Sequence, residues 1–209
     1  MPSLTEVNRP PAASGAWQRL LESAAGGPLP DWDQLAPHIA LKALPAGATV
    51  FDQGTKHPYI YAVREGLIKL SYIDDNGGEW VKSFASEGRF FASIAALQAD
   101  GRTSFMSTAI EASQLERLPY RILNELASRH LAWARAVQQM TMLFASRKEA
   151  RERDLLTLTP EGRYRAFLAD NPAMEKRIAQ KDLARYLGLT PVGLNRIVTR
   201  VRRTSAQQV

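Results

Sequence analysis

The sequence predicts an α+β protein with a small antiparallel β domain, a long helix and a helical C-terminal segment. From Leu41 to Arg117, short apolar runs alternate with Gly and turn residues, which is typical of an antiparallel sandwich or barrel. From Pro119 to about Leu156, a run of good helix formers contains no Gly and no further Pro. A second pair of helices is expected on either side of Gly188.

The order of these segments predicts four regions. Residues 1–14 are rich in proline and are expected to form a disordered leader. Residues 15–118 are expected to form the β domain, which begins with a helix over 16–25. Residues 119–157 are expected to form the long helix, and residues 158–209 the C-terminal domain.

Turn residues position the predicted strands of the β domain. Asn76 and Gly77 lie between two apolar runs and predict a hairpin with a type I′ turn. Asp31 is expected to cap a short helix that ends near His38. Residues 90–97 resemble a helix more than a strand, whereas residues 103–110 and 113–118 are strand-like.

The long helix carries an apolar stripe with spacings of four, three and four residues: Trp133, Val137, Met140 and Phe144. Such a stripe can pack on the β domain of the same chain, or it can form the seam of a two-fold dimer. We favour the dimer, because a seam needs only a narrow stripe and the helix is long for a domain of this size.

The net charge of +6 is concentrated at the C-terminus. Residues 176–209 contain eight Lys and Arg and a single acid, Asp182. This segment therefore carries 8 − 1 = +7, and residues 1–175 carry −1. A local basic segment favours a polyanion such as DNA, because each neutralised phosphate releases counterions.

Residues 180–199 satisfy the packing requirements of a helix-turn-helix. Ala184 is small enough for the point where the two helices cross, and Gly188 can adopt the left-handed conformation of the turn. Thr190 is a good N-cap for the second helix, and Pro191 suits its first turn. Apolar residues occupy the positions that face the shared core: Leu183, Leu187, Leu189, Leu194 and Ile197.

The polar side of this motif supplies the candidate contacts to double-stranded DNA. Asn195 can pair with adenine and Arg196 with guanine in the major groove. The remaining candidates, for base edges or phosphates, are Lys181, Arg185, Thr190, Val192, Thr199 and Arg200. The alternative is an ordinary helical hairpin with a basic face, but spacing, cap and charge together favour DNA binding.

The order of these parts resembles the Crp/Fnr superfamily of bacterial transcription regulators. In the β domain, GRFFASIAALQADGRTSF is similar to the family's phosphate-binding cassette, which contains Phe-Gly-Glu and then Pro-Arg. The matching positions here, which give the candidate effector site, are Phe91, Ala92, Ser93, Arg102 and the adjacent Thr103. The resemblance thus implies a jelly roll similar to cyclic nucleotide-binding domains.

Two differences in the cassette bear on the effector. Ser93 replaces the Glu that binds ribose in nucleotide-binding members, and Gly101 replaces the Pro. A Ser cannot accept two ribose hydroxyls as a carboxylate does, so cyclic AMP is a doubtful effector and another small molecule, or none, is favoured. Arg102 retains the capacity to bind an anion.

The C-terminal half resembles the family more closely, in Thr-Pro-Glu at residues 159–161 and Gly-Leu-Thr-Pro at 188–191. The resemblance implies a homodimer that recognises a pseudo-palindromic site and works with RNA polymerase. The chain ends soon after the second helix, so we expect a winged-helix-like domain whose wing is reduced or absent.

Other classes of protein find little support in the sequence. No cysteine is present, which excludes disulfides, thiolate zinc sites and cysteine-held iron–sulfur clusters. The common catalytic motifs are absent, so no enzyme is expected and no metal site is assigned. No secretory signal or membrane span is found, which predicts a cytoplasmic protein. The remaining alternative is a cyclic nucleotide-binding module that acts on a protein partner without DNA.

Overall fold

The computed structural model describes residues 15–206, with side chains through residue 203. The expected leader over residues 1–14 lies outside the described residues. No helix in the described range is long and apolar enough to span a bilayer. The helices are α1 (Ala16–Ala25), α2 (Trp32–Leu35), α3 (Tyr120–Arg129), α4 (Leu131–Thr157), α5 (Pro160–Asp170), α6 (Gln180–Leu187) and α7 (Pro191–Ala206).

Eight strands form two four-stranded antiparallel sheets that face each other as a jelly-roll sandwich, and the sheets do not close into a barrel. The orders are β1-β8-β3-β6 and β2-β7-β4-β5. The strands are β1 (Ala40–Leu44), β2 (Thr49–Phe51), β3 (Tyr59–Glu65), β4 (Ile68–Ile73), β5 (Glu79–Ala85), β6 (Phe90–Phe91), β7 (Met106–Ala109) and β8 (Ser113–Pro119). The expected antiparallel β domain is thus confirmed.

The predicted hairpin is present, but its turn type differs from the prediction. Strands β4 and β5 pair with Ile73 opposite Glu79. Only Gly77 has a positive φ, of 79°, and its N–H donates to the carbonyl of Asp74 at 3.0 Å. This is the type I turn with a following left-handed glycine, not the type I′ turn, which needs two positive φ values.

Residues 90–97 are not the single helix that the sequence predicts. Phe90 and Phe91 form the short strand β6, which pairs with β3. A 3₁₀ turn follows over Ile94–Leu97. The backbone of Phe91 pairs with β3 because the Phe91 ring lies in the aromatic core of the sandwich.

The predicted continuous helix over 119–157 is wrong, because it divides into α3 and α4 at His130. This residue has extended backbone angles, φ −129° and ψ 121°. Its Nε2 lies 3.1 Å from an Asp31 carboxylate oxygen, and the Trp133 indole donates to the Pro30 carbonyl at 2.8 Å. Both contacts hold the start of α4 against the loop before α2, so tertiary contacts override the helix propensity here.

Helix α1 confirms the prediction over 16–25 and covers one side of α4. Its N-terminus is bound by a carboxylate distant in sequence: Glu116 of β8 accepts the N–H of Ala16 at 2.9 Å and of Trp17 at 2.8 Å. Glu116 is fully buried. The Arg64 guanidinium lies 3.4 Å from the same carboxylate. This anchor fixes α1 to the sandwich.

The C-terminal helices pack on the sandwich through an apolar contact centred on Leu67 and a group of ion pairs. Leu67, in the connection between β3 and β4, is fully buried within the core of helices α5 to α7. Lys69 of β4 lies 2.7 Å from Glu79 and 3.2 Å from Asp182 of α6. The Arg185 guanidinium pairs with Glu79. We call these four charged residues the docking cluster: Lys69, Glu79, Asp182 and Arg185.

Candidate functional site

Helices α6 and α7 form the helix-turn-helix that the sequence predicts. Ala184 is fully buried where the helices cross, and Gly188 adopts the left-handed conformation with a φ of 67°. The hydroxyl of Thr190 accepts the Gly193 N–H at 3.1 Å, which confirms the predicted cap. Four of the five predicted core residues are buried and the fifth is half-buried: Leu183, Leu187, Leu194, Ile197 and Leu189.

The opposite side of α7 is exposed and carries the candidate base contacts. Val192 is 64% exposed, and the others on this side are also exposed: Asn195, Arg196, Thr199 and Arg200. Within the described range, Arg196 has no ion-pair partner. Arg200 lies 3.3 Å from Glu161 of α5, so its guanidinium would exchange a carboxylate for a phosphate on binding DNA. This side therefore offers an unobstructed polar surface of the kind that enters a major groove.

The candidates on α6 fall into two groups. Lys181 is exposed at the start of the helix and remains suited to a phosphate contact. Arg185 is turned away and pairs with Glu79 in the docking cluster. Arg185 would have to leave Glu79 before it could contact a phosphate, so the expectation for this residue stays a prediction.

Sequence patterns did not identify the docking cluster. Glu79 and Arg185 are 106 positions apart, and no periodicity links a strand residue to a helix so distant. A second contact of the same kind joins Arg177 to Glu87 and Glu111. The pKa of Glu79 lies below its usual range because hydrogen bonds from Lys69 and Ser71, together with nearby cations, outweigh the effect of its burial.

The residues expected to form the dimer seam pack within their own chain. Trp133 is fully buried and Met140 nearly so, and both belong to the core that α1 closes. Val137 packs at the edge of this core. The Phe144 ring lies against Lys82 of β5. The stripe therefore packs on the chain's own β domain and α1, which was the alternative to a dimer seam.

The cassette residues come together, but their polar groups are bonded to neighbouring groups of the protein. The Ser93 hydroxyl accepts the Ser104 N–H at 3.0 Å, and the Thr103 hydroxyl donates to the Asp52 carbonyl. Arg102 is exposed and donates to the Gly54 carbonyl at 2.9 Å. Phe91 and Ala92 are buried. None of these side chains presents the ribose carboxylate that the resemblance would require.

Aromatic rings fill the interior of the sandwich beside the cassette. Phe51 is the centre of this group, with ring centroids 4.8 Å from His57, 5.5 Å from Phe105 and 6.3 Å from Phe91. Tyr61 stacks on Phe91 at 5.2 Å with an interplanar angle of 11°. Burial, reinforced by nearby cations, lowers the pKa of His57 to about 4, so it is neutral at pH 7.

Gly101 makes the cassette differ in shape as well as in chemistry. A Cβ atom built at this position would lie 1.9 Å from the carbonyl oxygen of Ala95. No side chain fits there without a shift of the backbone, so neither would the ring of the Pro that the family pattern has at this position. The residues present therefore do not fit a cyclic nucleotide held in the family's manner.

Comparison with known proteins agrees with this architecture. The family model described as "Cyclic nucleotide-binding domain" matches residues 41–130. The fumarate and nitrate reduction regulatory protein of Vibrio cholerae is 26% identical over 185 residues, which cover 80% of this chain and 71% of that protein. The transcriptional activator protein Anr of Pseudomonas protegens is 26% identical over 175 residues, 78% and 70% of the two chains.

Among solved structures, FixK2 from Bradyrhizobium japonicum superposes with a TM-score of 0.68 at 18% identity and covers 80% of this chain and 86% of its own. Residues 41–130 thus match the cyclic nucleotide-binding domain family, and the chain is similar to bacterial transcription regulators of the Crp/Fnr superfamily. Within this superfamily, an iron–sulfur cluster held by cysteines does not fit the present chain, because the sequence contains no cysteine.

Proposed function

We propose that this chain is a sequence-specific DNA-binding transcription regulator of the Crp/Fnr type. The observation that carries the proposal is the exposed side of α7, where Asn195 and Arg196 project from a well-packed helix-turn-helix. Among the described residues, Arg196 has no ion-pair partner. The names of the relatives support a regulator of transcription rather than an enzyme. Arg196 would read a guanine and Asn195 an adenine in each half-site.

The first experiment selects sequences from a randomised duplex pool with the purified protein, with and without cyclic AMP. An enriched palindrome is the expected result, because a two-fold dimer imposes its symmetry on the site. Enrichment only with cyclic AMP would contradict the conclusion that the cassette does not fit this nucleotide. A chain that acts on a protein partner without DNA would enrich nothing in either condition.

A variant pair then tests the assignment of Arg196. Arg196→Ala should weaken binding to the selected site by about 1–3 kcal/mol and relax the preference at one base pair per half-site. The matched control is Arg121→Ala, which removes an exposed arginine that pairs with Glu125 on α3 and should leave binding unchanged. Equal weakening on every sequence would show instead that Arg196 contacts a phosphate.

We also propose that two chains pair along α4, on a different side from the stripe that the sequence indicated. Leu131 and Met142 are 67% and 61% exposed, and with Gln138 and Ala145 they share one exposed side of the helix. This stretch is about 22 Å long at 1.5 Å per residue. Glu149 lies further along the same side of α4. In a two-fold dimer the Glu149 carboxylates of the two chains would repel each other, which would confine the apolar contact to the first four turns.

Sedimentation of purified variants tests this seam. Met142→Asp should convert a dimer to a monomer, because it places a charge in the apolar contact. Phe144→Ala is the control, because the Phe144 ring faces Lys82 of its own chain. This variant should leave the dimer intact. The opposite result would return the seam to the stripe first expected from the sequence.

A signal at the β domain would reach α6 through the docking cluster. Its four side chains are between 15% and 28% exposed, so solvent screens them only in part. Because α6 and α7 share one core, a shift of β4 or β5 would move both helices together. In a dimer this would change the spacing of the two recognition helices, which determines whether they fit successive grooves about 34 Å apart.

A further inference from the structure

A group of cations lies where β5 packs on α4, apart from the exposed side of α7. Lys82 of β5 is half-buried. Its ammonium lies 4.8 Å from the ring centroid of Phe105 and 5.7 Å from that of Phe144. Lys148 of α4 approaches the same Phe144 ring at 5.2 Å. The ring therefore has two ammonium groups within 6 Å, a distance at which cation–π attraction operates.

Neither lysine has an acidic partner in the described part of the chain. By contrast, two partly buried cations between the β domain and the helices, Lys69 and Arg177, each have two carboxylates beside them. A partly buried charge without a counter-ion is costly to maintain. Lys82 is such a charge, and the exposed Lys148 beside it adds a second positive charge. The pair therefore favours a partner of opposite charge that the described part of the chain does not supply.

Arg151, one turn beyond Lys148, adds a third positive charge. Its guanidinium lies 3.8 Å from the ring centroid of Tyr186 and donates to the carbonyls of Tyr186 at 2.7 Å and Val81 at 3.4 Å. These bonds fix its position but leave its charge uncompensated. Burial, and then repulsion from Lys148 and Arg151, lowers the pKa of Lys82 to about 8.

We propose that Lys82, Lys148 and Arg151 form a binding site for the oxyanion group, a phosphate or a carboxylate, of a small molecule. An oxyanion there would neutralise the mutual repulsion and accept hydrogen bonds from ammonium groups that lack acidic partners. None of the three belongs to the cassette. The site is thus built from β5 and α4, and the cassette's Arg102 is not needed for it.

The position of the site gives it a regulatory use, and this part rests on the proposed function. Arg151 connects three elements, because it belongs to α4 and binds backbone carbonyls of β5 and α6. An anion that draws Lys82 and Lys148 together would tighten β5 against α4 beside this connection. The helix-turn-helix would then respond to the anion through α6.

Thermal unfolding in inorganic phosphate or in acetate, at constant ionic strength, tests the site. Either anion should raise the Tm of the full-length protein in a saturable manner, since it binds the folded state. Lys82→Gln should weaken the apparent affinity at least about tenfold. Lys82→Met, which keeps the aliphatic packing, should do the same, and far-ultraviolet circular dichroism would show that both variants fold.

Arg196→Ala is the matched control, because phosphate can also bind the DNA-facing helix. It should leave the anion response unchanged. Equal responses in wild type and both Lys82 variants would overturn the proposal, as would loss of the response in Arg196→Ala alone. The Lys82 variants should still select the same DNA sequence, so a failure of DNA recognition would be seen separately from a failure of anion binding.

Discussion

Replacement of Glu116 by alanine would test how the N-terminal helix is held. The carboxylate is fully buried, accepts two backbone N–H groups of α1 and lies 3.4 Å from Arg64. Each buried N–H left without an acceptor costs about 1–3 kcal/mol, and Arg64 would lose its counter-ion. We expect Glu116→Ala to lower the free energy of unfolding by about 3–5 kcal/mol. The corresponding fall in Tm is roughly 6–20 °C for a chain of this length.

Urea denaturation monitored by tryptophan fluorescence would measure this loss, because Trp17 and Trp133 are both fully buried in the core that contains α1. Glu116→Gln retains one acceptor oxygen and should fall between wild type and Glu116→Ala. The matched control is Glu22→Ala, which removes a carboxylate of α1 bonded to Gln18 and should cost under about 0.5 kcal/mol. A loss under about 1 kcal/mol for Glu116→Ala would refute the reasoning, since it would mean that water replaces the carboxylate at no great cost.

Three further predictions follow from the β domain. His57 has a folded-state pKa of about 4, below its usual 6.5, so the unfolded chain takes up its proton first. The contribution of the buried neutral imidazole to stability is present above pH 6.5 and is lost as the pH falls towards 4. His57→Gln should therefore flatten this part of a curve of Tm against pH. An unchanged curve would contradict burial of the neutral ring. Gly101→Ala should lower the free energy of unfolding by about 2–3 kcal/mol, because the new Cβ would meet the Ala95 carbonyl. The control is Gly27→Ala, since the space around Gly27 is open. It should change the free energy of unfolding by less than about 0.5 kcal/mol in the same urea experiment. Glu79→Gln should reduce the protection of α6 amides in native-state hydrogen exchange by about 1–3 kcal/mol, and unchanged protection would show that the apolar contacts alone hold the docked helices.

The elements that the sequence predicted well are those fixed by local chemistry. The turn at Gly188 needs a left-handed residue and the cap at Thr190 needs a hydroxyl, and both signals lie within a few positions of the structure that they specify. The strands were predictable for the same reason, since glycine and asparagine mark their turns. Sequence patterns therefore separated the exposed residues of α7 from its buried ones.

The errors occurred where contacts distant in sequence decide the outcome. The break at His130 has no Gly or Pro to signal it and depends on contacts with residues 30 and 31. The stripe through Trp133 has a period that fits a seam or an intrachain contact equally well, and it is the Glu116 anchor, far along the chain, that places α1 over it. The ion pair of Arg185 could not be predicted either, because its partner is a strand residue distant in sequence.

The burial of Leu67 within the helical core means that the β domain supplies part of the hydrophobic interior of the C-terminal domain. Phe84 and Ile110 line the same contact. A fragment cut between α4 and α5 would expose the apolar surface that these residues cover, and would be prone to association. The helix-turn-helix of this chain thus depends on the β domain for part of its hydrophobic core. A chimera that joins it to a different β domain would need an apolar side chain at the position of Leu67 to bury the same surface.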